Sequence, residues 1–104
     1  MVPVITGVDD MPLVLALSSA YPNPTASEVS FALALPKDSD VSLAVLDLQG
    51  RTVWSSGARV YGAGRHSLVW PGRQSDGRKA AAGMYLAHVR VGKESFTRRF
   101  VRLH

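Results

Sequence analysis

The chain has 104 residues, of which 46% are hydrophobic and 19% are charged. This composition is that of one globular domain and excludes a disordered chain. Because there is no cysteine, a disulfide scaffold, thiol catalysis and cysteine-ligated zinc are also excluded. No apolar run reaches the length of about 18 residues that a membrane-spanning helix requires, so no membrane span is predicted.

Charge is divided unevenly along the chain. Residues 1–50 hold one basic and six acidic side chains, which gives −5, and residues 51–104 hold eleven basic and two acidic ones, which gives +9. Such a basic half can indicate binding to nucleic acid or to an acidic surface. Arginines on the solvent-exposed faces of strands explain it more simply, and we predict no nucleic-acid partner.

The beginning of the chain has the composition of a connection. Residues 1–12 contain Pro3, Gly7 and Pro12 without a sustained period, and they lack the basic stretch that opens a signal peptide. We therefore expect a linker or tether over 1–12 and one domain over 13–104. An apolar run of strand length over 13–20 is ended by Tyr21-Pro22-Asn23-Pro24, because proline cannot donate to a strand ladder.

Alternation of apolar and polar residues predicts the next strands. It appears at Val29, Phe31, Leu33 and Leu35, and again, after a polar turn, at Val41, Leu43 and Val45. Asp47 then takes an inward position. A buried carboxylate needs partners, so we expect a bend or bulge that places Asp47 on the amides of the turn over residues 48–51, which contains Gly50.

The second half of the chain is predicted to complete the sheet structure. Short strands are expected over 51–54, around 66–70, over 84–91 and over 95–103, with a glycine-containing connection over 57–64 and turns at 75–77 and 92–94. About seven strands at this spacing predict an antiparallel β-sandwich. The apolar positions expected in its core are Phe31, Leu33, Leu43, Val45, Leu68, Trp70, Tyr85 and Val89.

No catalytic or cofactor site is predicted. His66, His88 and His104 are scattered without metal-ligand spacing, and neither a nucleophile elbow nor a phosphate-binding loop is present. The aromatic residues allow a sugar-stacking platform, although burial of Trp70 and half-burial of Trp54 is the simpler expectation. The residues of such a platform are Tyr21, Trp54, Tyr61 and Trp70.

The order of the motifs resembles a known family. The series contains Tyr21-Pro22-Asn23-Pro24, Asp47-Leu48-Gln49-Gly50, Ala63-Gly64-Arg65-His66, Trp70-Pro71-Gly72, Ala82-Gly83-Met84-Tyr85 and Arg98-Arg99-Phe100-Val101-Arg102. It is similar to the immunoglobulin-like domain of flagellar hook-capping proteins and to the C-terminal sorting domains of type IX secretion cargo. Thr25 and Pro71 depart from the usual phenylalanine and aspartate of these families, which leaves the geometry of two turns open.

The resemblance implies a non-catalytic sorting or anchoring domain covalently attached to an exported parent protein. Such a domain is secreted or held at the cell surface after passage through the periplasm, and its partner is the secretion and anchoring machinery at the outer membrane. Recognition residues in these families correspond here to Gly83, Tyr85, Arg98, Arg99 and Arg102. We expect the three arginines to present charge on one exposed, extended segment.

Other interpretations remain open at this stage. The domain could serve as a structural part of a hook-capping scaffold, or as a carbohydrate-binding accessory module of a secreted glycoside hydrolase. Gly83 and Tyr85 could equally serve the fold, Gly83 through an unusual backbone angle and Tyr85 through packing and a hydrogen-bonded hydroxyl. The arginines could discourage edge-to-edge aggregation of a terminal strand.

Overall fold

The computed structural model describes residues 13–103, which form eight strands and no helix. The strands are β1 (Ala16–Leu17), β2 (Val29–Leu35), β3 (Ser39–Leu46), β4 (Thr52–Ser55), β5 (Arg59–Tyr61), β6 (Gly64–Trp70), β7 (Gly83–Val91) and β8 (Glu94–Arg102). The additional strand relative to the prediction is β5, which lies in the segment expected to be a connection. The predicted tether over 1–12 and His104 lie outside the described residues.

The strands form two antiparallel sheets. One sheet has the order β1-β2-β6, and the other has the order β4-β3-β7-β8, with β5 also paired to β3. Alternating residues of both sheets point into a common interior, which is the arrangement of a sandwich. The predicted all-β, immunoglobulin-like sandwich is therefore confirmed.

The core is centred on aromatic rings contributed by both sheets. All eight residues predicted for the core are buried, none more than 6% exposed. Phe100, which was not in that set, is fully buried, and its ring lies 5.6 Å from that of Trp70 and 5.9 Å from that of Tyr85. Since buried aromatic rings contribute much of the apolar area of a small domain, this cluster holds the two sheets together.

One predicted strand is shorter than expected, and the predicted bend before Asp47 is confirmed. The apolar run over 13–20 pairs with β2 at Ala16 and Leu17, and the amide of Ser18 then donates to the carbonyl oxygen of Ala32. Beyond the run, Tyr21 exchanges two backbone hydrogen bonds with Ser30. The expected bend before Asp47 is present, because the register of β3 against β4 shifts between Val45 and Leu46. The bulge is what turns Asp47 toward the following loop.

The two long sides of the sandwich differ. On one side, β1 and β8 are the neighbouring sheet edges, and side-chain hydrogen bonds join them. On the other side, β6 lies opposite β4 and β5, and an open cleft separates these edges. The hairpin of β7 and β8 carries all five predicted recognition residues.

Candidate functional site

The register of the β7–β8 hairpin brings the predicted recognition residues together. Gly83 is paired with Arg102 and Tyr85 with Phe100, while Arg98 and Arg99 lie opposite Ala87 and Leu86. Successive side chains of a strand point to opposite faces. Tyr85, Arg98 and Arg102 therefore face the inside of the sandwich, and Arg99 faces solvent on the outer face.

Arg102 is buried, so the expectation that it presents exposed charge is wrong. It is only 2% exposed, and its guanidinium donates from Nε to the carbonyl oxygen of Ala80 at 2.9 Å and from Nη1 to that of Ser27 at 2.6 Å. A buried cation is tolerated only when hydrogen bonds compensate for lost hydration. The two carbonyls provide that compensation, and Arg102 thereby joins the last strand to two loops.

Gly72 makes room for this guanidinium. Its φ is +82°, and a Cβ atom at this position would lie 2.7 Å from the Ser27 oxygen and 2.8 Å from Nη1 of Arg102. Any side chain at residue 72 would therefore displace the contact. The loop that contains Gly72 is also held from the core, because Trp70 Nε1 donates to the carbonyl oxygen of Arg73 at 2.9 Å.

Tyr85 and Gly83 serve the fold in the way anticipated for them. The Tyr85 ring is buried, and its hydroxyl donates a 2.6 Å hydrogen bond to the carbonyl oxygen of Ala81. Burial raises the pKa of this phenol, because the charged form would lose hydration. Gly83 has a φ of +148°, outside the range that other residues readily adopt.

Arg98 closes one side of the sandwich. This half-buried side chain donates to the carbonyl oxygen of Leu17 at 2.8 Å and to that of Ser18 at 3.2 Å, and its third bond, at 3.0 Å, goes to Thr97. Arg98 thus links the edge strands of the two sheets. The Arg98 guanidinium also lies over the ring of Phe96, whose centre is 5.5 Å from the guanidinium carbon.

Arg99 is the exposed cation of the set, and apolar side chains lie next to it. On the outer face, Arg99 lies opposite Leu86, Leu86 is next to Leu46 across β3, and Met84 is opposite Val101. Met84 is 37% exposed, and the other three apolar side chains are half-buried. We call these four apolar residues and Arg99 the outer patch.

The outer patch continues around the end of the sheet. Leu48, which is 62% exposed, lines the same surface hollow as Gly83 and Met84. Within residues 13–103, no carboxylate pairs with Arg99. Sequence analysis did not identify the apolar part of this surface. It could have been found from three consecutive apolar residues of β7, Met84, Tyr85 and Leu86. They place apolar side chains on both faces of the strand, although a half-buried strand needs only one apolar face.

Asp47 has the partners that were expected for it. Asp47 Oδ1 accepts hydrogen bonds from the amides of Gln49 and Arg51, both at 3.0 Å, and Oδ2 accepts one from Arg51 Nε at 2.9 Å. Burial alone would raise the pKa of Asp47, but these hydrogen bonds and the charge of Arg51 outweigh it and lower the pKa. Gly50 supplies the φ of +87° that closes the turn.

The segment over residues 23–25 covers the end of β8. Asn23 Oδ1 accepts from the amide of Val101 at 2.9 Å, and the backbone of Thr25 bonds to Val101 and Leu103. The buried Thr25 hydroxyl also donates to the carbonyl oxygen of Glu28 at 2.6 Å. A phenylalanine could not make this bond, so the departure from the family pattern at Thr25 has a local structural role.

The FlgD Ig-like domain family has a sequence model that matches residues 19–95. The chain belongs to this family. Its matched part contains the Asp47 turn, the loop that Arg102 holds and the whole of β7. No curated protein matches the sequence.

Two solved structures from Porphyromonas gingivalis resemble this FlgD Ig-like domain. A region of PorZ, described as an essential bacterial surface component of the type IX secretion system, aligns with 86% of the chain at 23% identity and a TM-score of 0.56. A region of dimeric latent PorU aligns with 96% of it at 20% identity and a TM-score of 0.69. The chain covers only 11% of PorZ and 10% of PorU. At this identity the likeness establishes the shared fold.

The aromatic residues of this FlgD Ig-like domain do not form one platform. Trp70 is fully buried and Trp54 half-buried, which confirms the simpler expectation for these two residues. Trp54 and Tyr61 line the open cleft beside β6, whereas Tyr21 is exposed on a segment bridged to β2 and does not line it. The four-residue platform considered from the sequence is therefore wrong.

The histidines of the described region are also separated. His66 Nε2 lies 2.7 Å from the carbonyl oxygen of Gly62, and His88 lies on the outer face of β7. Residues 13–103 contain no group of three or more histidine or acidic side chains placed to hold a metal ion. No helix in this part of the chain is long and apolar enough to span a membrane.

Proposed function

We propose that this FlgD Ig-like domain is the C-terminal sorting or anchoring domain of an exported protein and docks on the secretion machinery through the outer patch. The observation that carries the proposal is the outer patch itself, a partly exposed apolar surface beside Arg99, which has no carboxylate partner within residues 13–103. It lies on the β7–β8 hairpin, which carries the recognition residues that the sequence resemblance implies. The fold shared with regions of PorZ and PorU supports the connection with type IX secretion.

The composition of the outer patch fits a protein-docking surface. Protein interfaces combine a buried apolar centre with a small number of arginine or aromatic anchors. Met84, Leu86 and Val101 supply the apolar part, and Arg99 supplies a cation without a carboxylate partner in the described region. The partner surface should therefore be apolar with an acidic group opposite Arg99.

Tyr85, Arg98 and Arg102 lie on the inner face of the same hairpin and hold it in place. Tyr85 and Arg102 bind the carbonyls of Ala81 and Ala80, and Arg98 fixes the middle of β8 to β1. These contacts keep the hairpin rigid, so the outer patch is presented without a large ordering cost on binding. In this proposal Arg99 contacts the partner, whereas Tyr85, Arg98 and Arg102 position the strand that carries it.

The parent protein supplies any catalytic activity. The chain spans about a tenth of PorZ and of PorU, which shows that this fold occurs as a small part of long proteins. The proposed domain is non-catalytic, remains covalently attached while its parent crosses the periplasm, and delivers the parent to the cell surface or the medium.

A reporter experiment tests the proposal. The full chain is fused to the C-terminus of a periplasmic reporter in a bacterium with a type IX system, and surface and secreted reporter are quantified. Arg99→Glu should reduce export strongly because it reverses the charge of the outer patch. The matched control is Arg90→Glu, which makes the same change on the same outer face of the sheet, on β7 opposite Ser95 and away from the patch. Equal export of both variants, with unchanged thermal unfolding, would contradict the proposed surface.

The second candidate is a structural domain of a hook-capping scaffold, which the family match favours directly. In that case the outer patch would contact another subunit of the scaffold. The same fusion distinguishes the two functions, because a scaffold domain carries no export information. Retention of the wild-type fusion in the periplasm would reject the sorting function and favour the scaffold.

A further inference from the structure

The backbone of β6 has an unpaired edge. On β2, Ser30 and Ala32 direct their backbone groups toward the β1 side, because Ser30 exchanges bonds with Tyr21 and the Ala32 oxygen accepts from Ser18. Antiparallel strands alternate the direction of these groups. The intervening residues of β2 therefore bond to β6 at His66 and Leu68. The N–H and C=O groups of Arg65, Ser67 and Val69 consequently point away from the sheet.

Parts of the edges of β8 and β4 are covered by other segments, but the edge of β6 is not. Asn23 and Thr25 cover the end of β8, Arg98 covers Thr97, and the amide of Ser75 bonds to the carbonyl oxygen of Val53 on β4. Within the described part of the chain, the outward groups of β6 have no such partner. Native proteins normally block an edge of this length, so an uncovered one is suited to accept another strand.

A cleft of mixed polarity lies beside the same edge. It has a volume of about 380 Å³ and runs between β6 and the strands β4 and β5. Trp54 and Tyr61 contribute aromatic rings from one side of the cleft, and Val69 contributes exposed apolar surface from β6. Polar surface comes from the serines at residues 55, 56 and 67. Alternate side chains of a strand added to β6 would point into this cleft.

The charge of the edge favours an acidic occupant. Arg59 lines the cleft and Arg65 lies on β6, and both are exposed. No carboxylate is among the residues that line the cleft. Since like charges would repel and opposite charges steer association, a basic strand is disfavoured at this position.

We propose that β6 binds an extended, acidic peptide segment of a partner protein as an added β-strand. Backbone hydrogen bonds to Arg65, Ser67 and Val69 would provide the pairing. The rings of Trp54 and Tyr61 would contact apolar side chains at alternate positions of the peptide. This surface is separate from the outer patch, since β6 belongs to the other sheet. The proposal is therefore independent of the sorting function.

The probe is a seven-residue peptide that alternates valine and glutamate, blocked at both ends. It is titrated into the full ¹⁵N-labelled chain and followed by amide chemical shifts. The largest shifts should occur at Arg65, Ser67 and Val69, with little change at Ser95 and Thr97 on the edge of β8. Shifts confined to β8, or none at millimolar peptide, would overturn the proposal.

A proline substitution tests the backbone pairing. Ser67→Pro removes one outward N–H without removing a ladder bond to β2, and proline is tolerated at such edge positions. Thr97→Pro makes the same change at an outward N–H of β8 and serves as the control. Binding should be lost in the first variant and kept in the second. If Ser67→Pro unfolds, the pairing is tested from the peptide side instead. A valine–glutamate peptide N-methylated at alternate residues cannot donate these backbone hydrogen bonds and should not bind the wild type.

The charge requirement is tested separately. A probe that alternates valine and lysine should bind wild type at least about fivefold more weakly, and Arg59→Gln/Arg65→Gln should weaken the glutamate probe by a similar factor. Equal binding of the two probes would overturn the acidic partner. Concentration-dependent shifts at β6 without peptide would identify a second copy of the chain as the occupant, and shifts there with cellohexaose would identify a sugar. Either result would overturn the proposal.

Discussion

The Arg102 guanidinium donates a 2.6 Å hydrogen bond to the carbonyl oxygen of Ser27, which ties the last strand to the loop before β2. The same side chain holds Ala80 at the end of the loop before β7. A residue that appeared suited to receptor binding therefore joins three segments that are far apart in the sequence. This contact gives the clearest test of which arginines serve the fold.

Arg102→Ala should lower the free energy of unfolding by about 3 kcal/mol, because it leaves two carbonyls without their charged donor and opens a cavity. Arg99→Ala is the control on the same strand, and since Arg99 is exposed its effect should stay within about 0.5 kcal/mol. Urea unfolding measures both. Similar values for the two variants would mean that the buried contact contributes little.

Gly72→Ala should be more destabilising than Gly77→Ala. Both glycines have positive φ, +82° and +91°, so both substitutions carry the backbone cost of about 1–2 kcal/mol. A Cβ at residue 72 would also collide with Ser27 and Arg102, whereas one at residue 77 meets nothing within 4 Å. Thermal unfolding should therefore show a clearly larger loss for Gly72→Ala, and equal losses would contradict the close approach.

Tyr85→Phe should cost about 1 kcal/mol at neutral pH, because the hydrogen bond to Ala81 is lost. It should also change the alkaline behaviour. The folded state raises the pKa of Tyr85 above its ordinary 10.0, so the phenol ionises more easily in the unfolded chain. The contribution of the protonated phenol to the free energy of unfolding is complete below about pH 10 and is lost as the pH rises further. The wild type should therefore lose stability above that pH more steeply than Tyr85→Phe.

Asp47→Asn should act in the opposite pH range. The folded state lowers the pKa of this carboxyl below 3.8, so its contribution is present above about pH 4 and disappears as the pH falls through the folded value. At pH 7 the variant should unfold several degrees below wild type. The difference should narrow toward pH 2, and a gap that stays constant between pH 7 and pH 2 would exclude the ionised carboxylate as its cause.

Short-range patterns in the sequence were sufficient for the core and for the Asp47 turn. The partners of Asp47 lie within four residues of it, and Phe31 and Leu33 are on the apolar phase of a regular strand. Strand β5 was missed because Val60, its central residue, is 75% exposed and glycines flank the segment. Local patterning contains no signal for a strand that packs so little.

Long-range contacts account for what the sequence did not reveal. Alternation places Arg102 on the inward face, but its acceptors at Ser27 and Ala80 are 75 and 22 residues away. Because the sequence does not show that these loops supply acceptors for Arg102, the simplest prediction was that a sheet edge leaves this side chain exposed. The outer patch was missed for a related reason, because Leu46, Leu86 and Val101 become neighbours only through the register of three strands.

The contact between Arg98 and β1 predicts a local rather than a global effect. Arg98→Ala removes hydrogen bonds to Leu17 and Ser18, and β1 otherwise pairs with β2 over only two residues. Because regions with few contacts open independently of the core, the amides of Ser18 and Ala32 should exchange with solvent about tenfold faster. That factor corresponds to about 1.4 kcal/mol of lost local stability.

Amides in the centre of the second sheet, such as that of Val89, should keep their wild-type exchange in this variant. Arg90→Ala removes an exposed arginine from β7 without touching β1, and it should leave all of these amides unchanged. Uniformly faster exchange throughout Arg98→Ala would mean that Arg98 stabilises the whole sandwich. Unchanged exchange at Ser18 would mean that β2 alone secures β1, and that the joined side of the sandwich does not depend on this arginine.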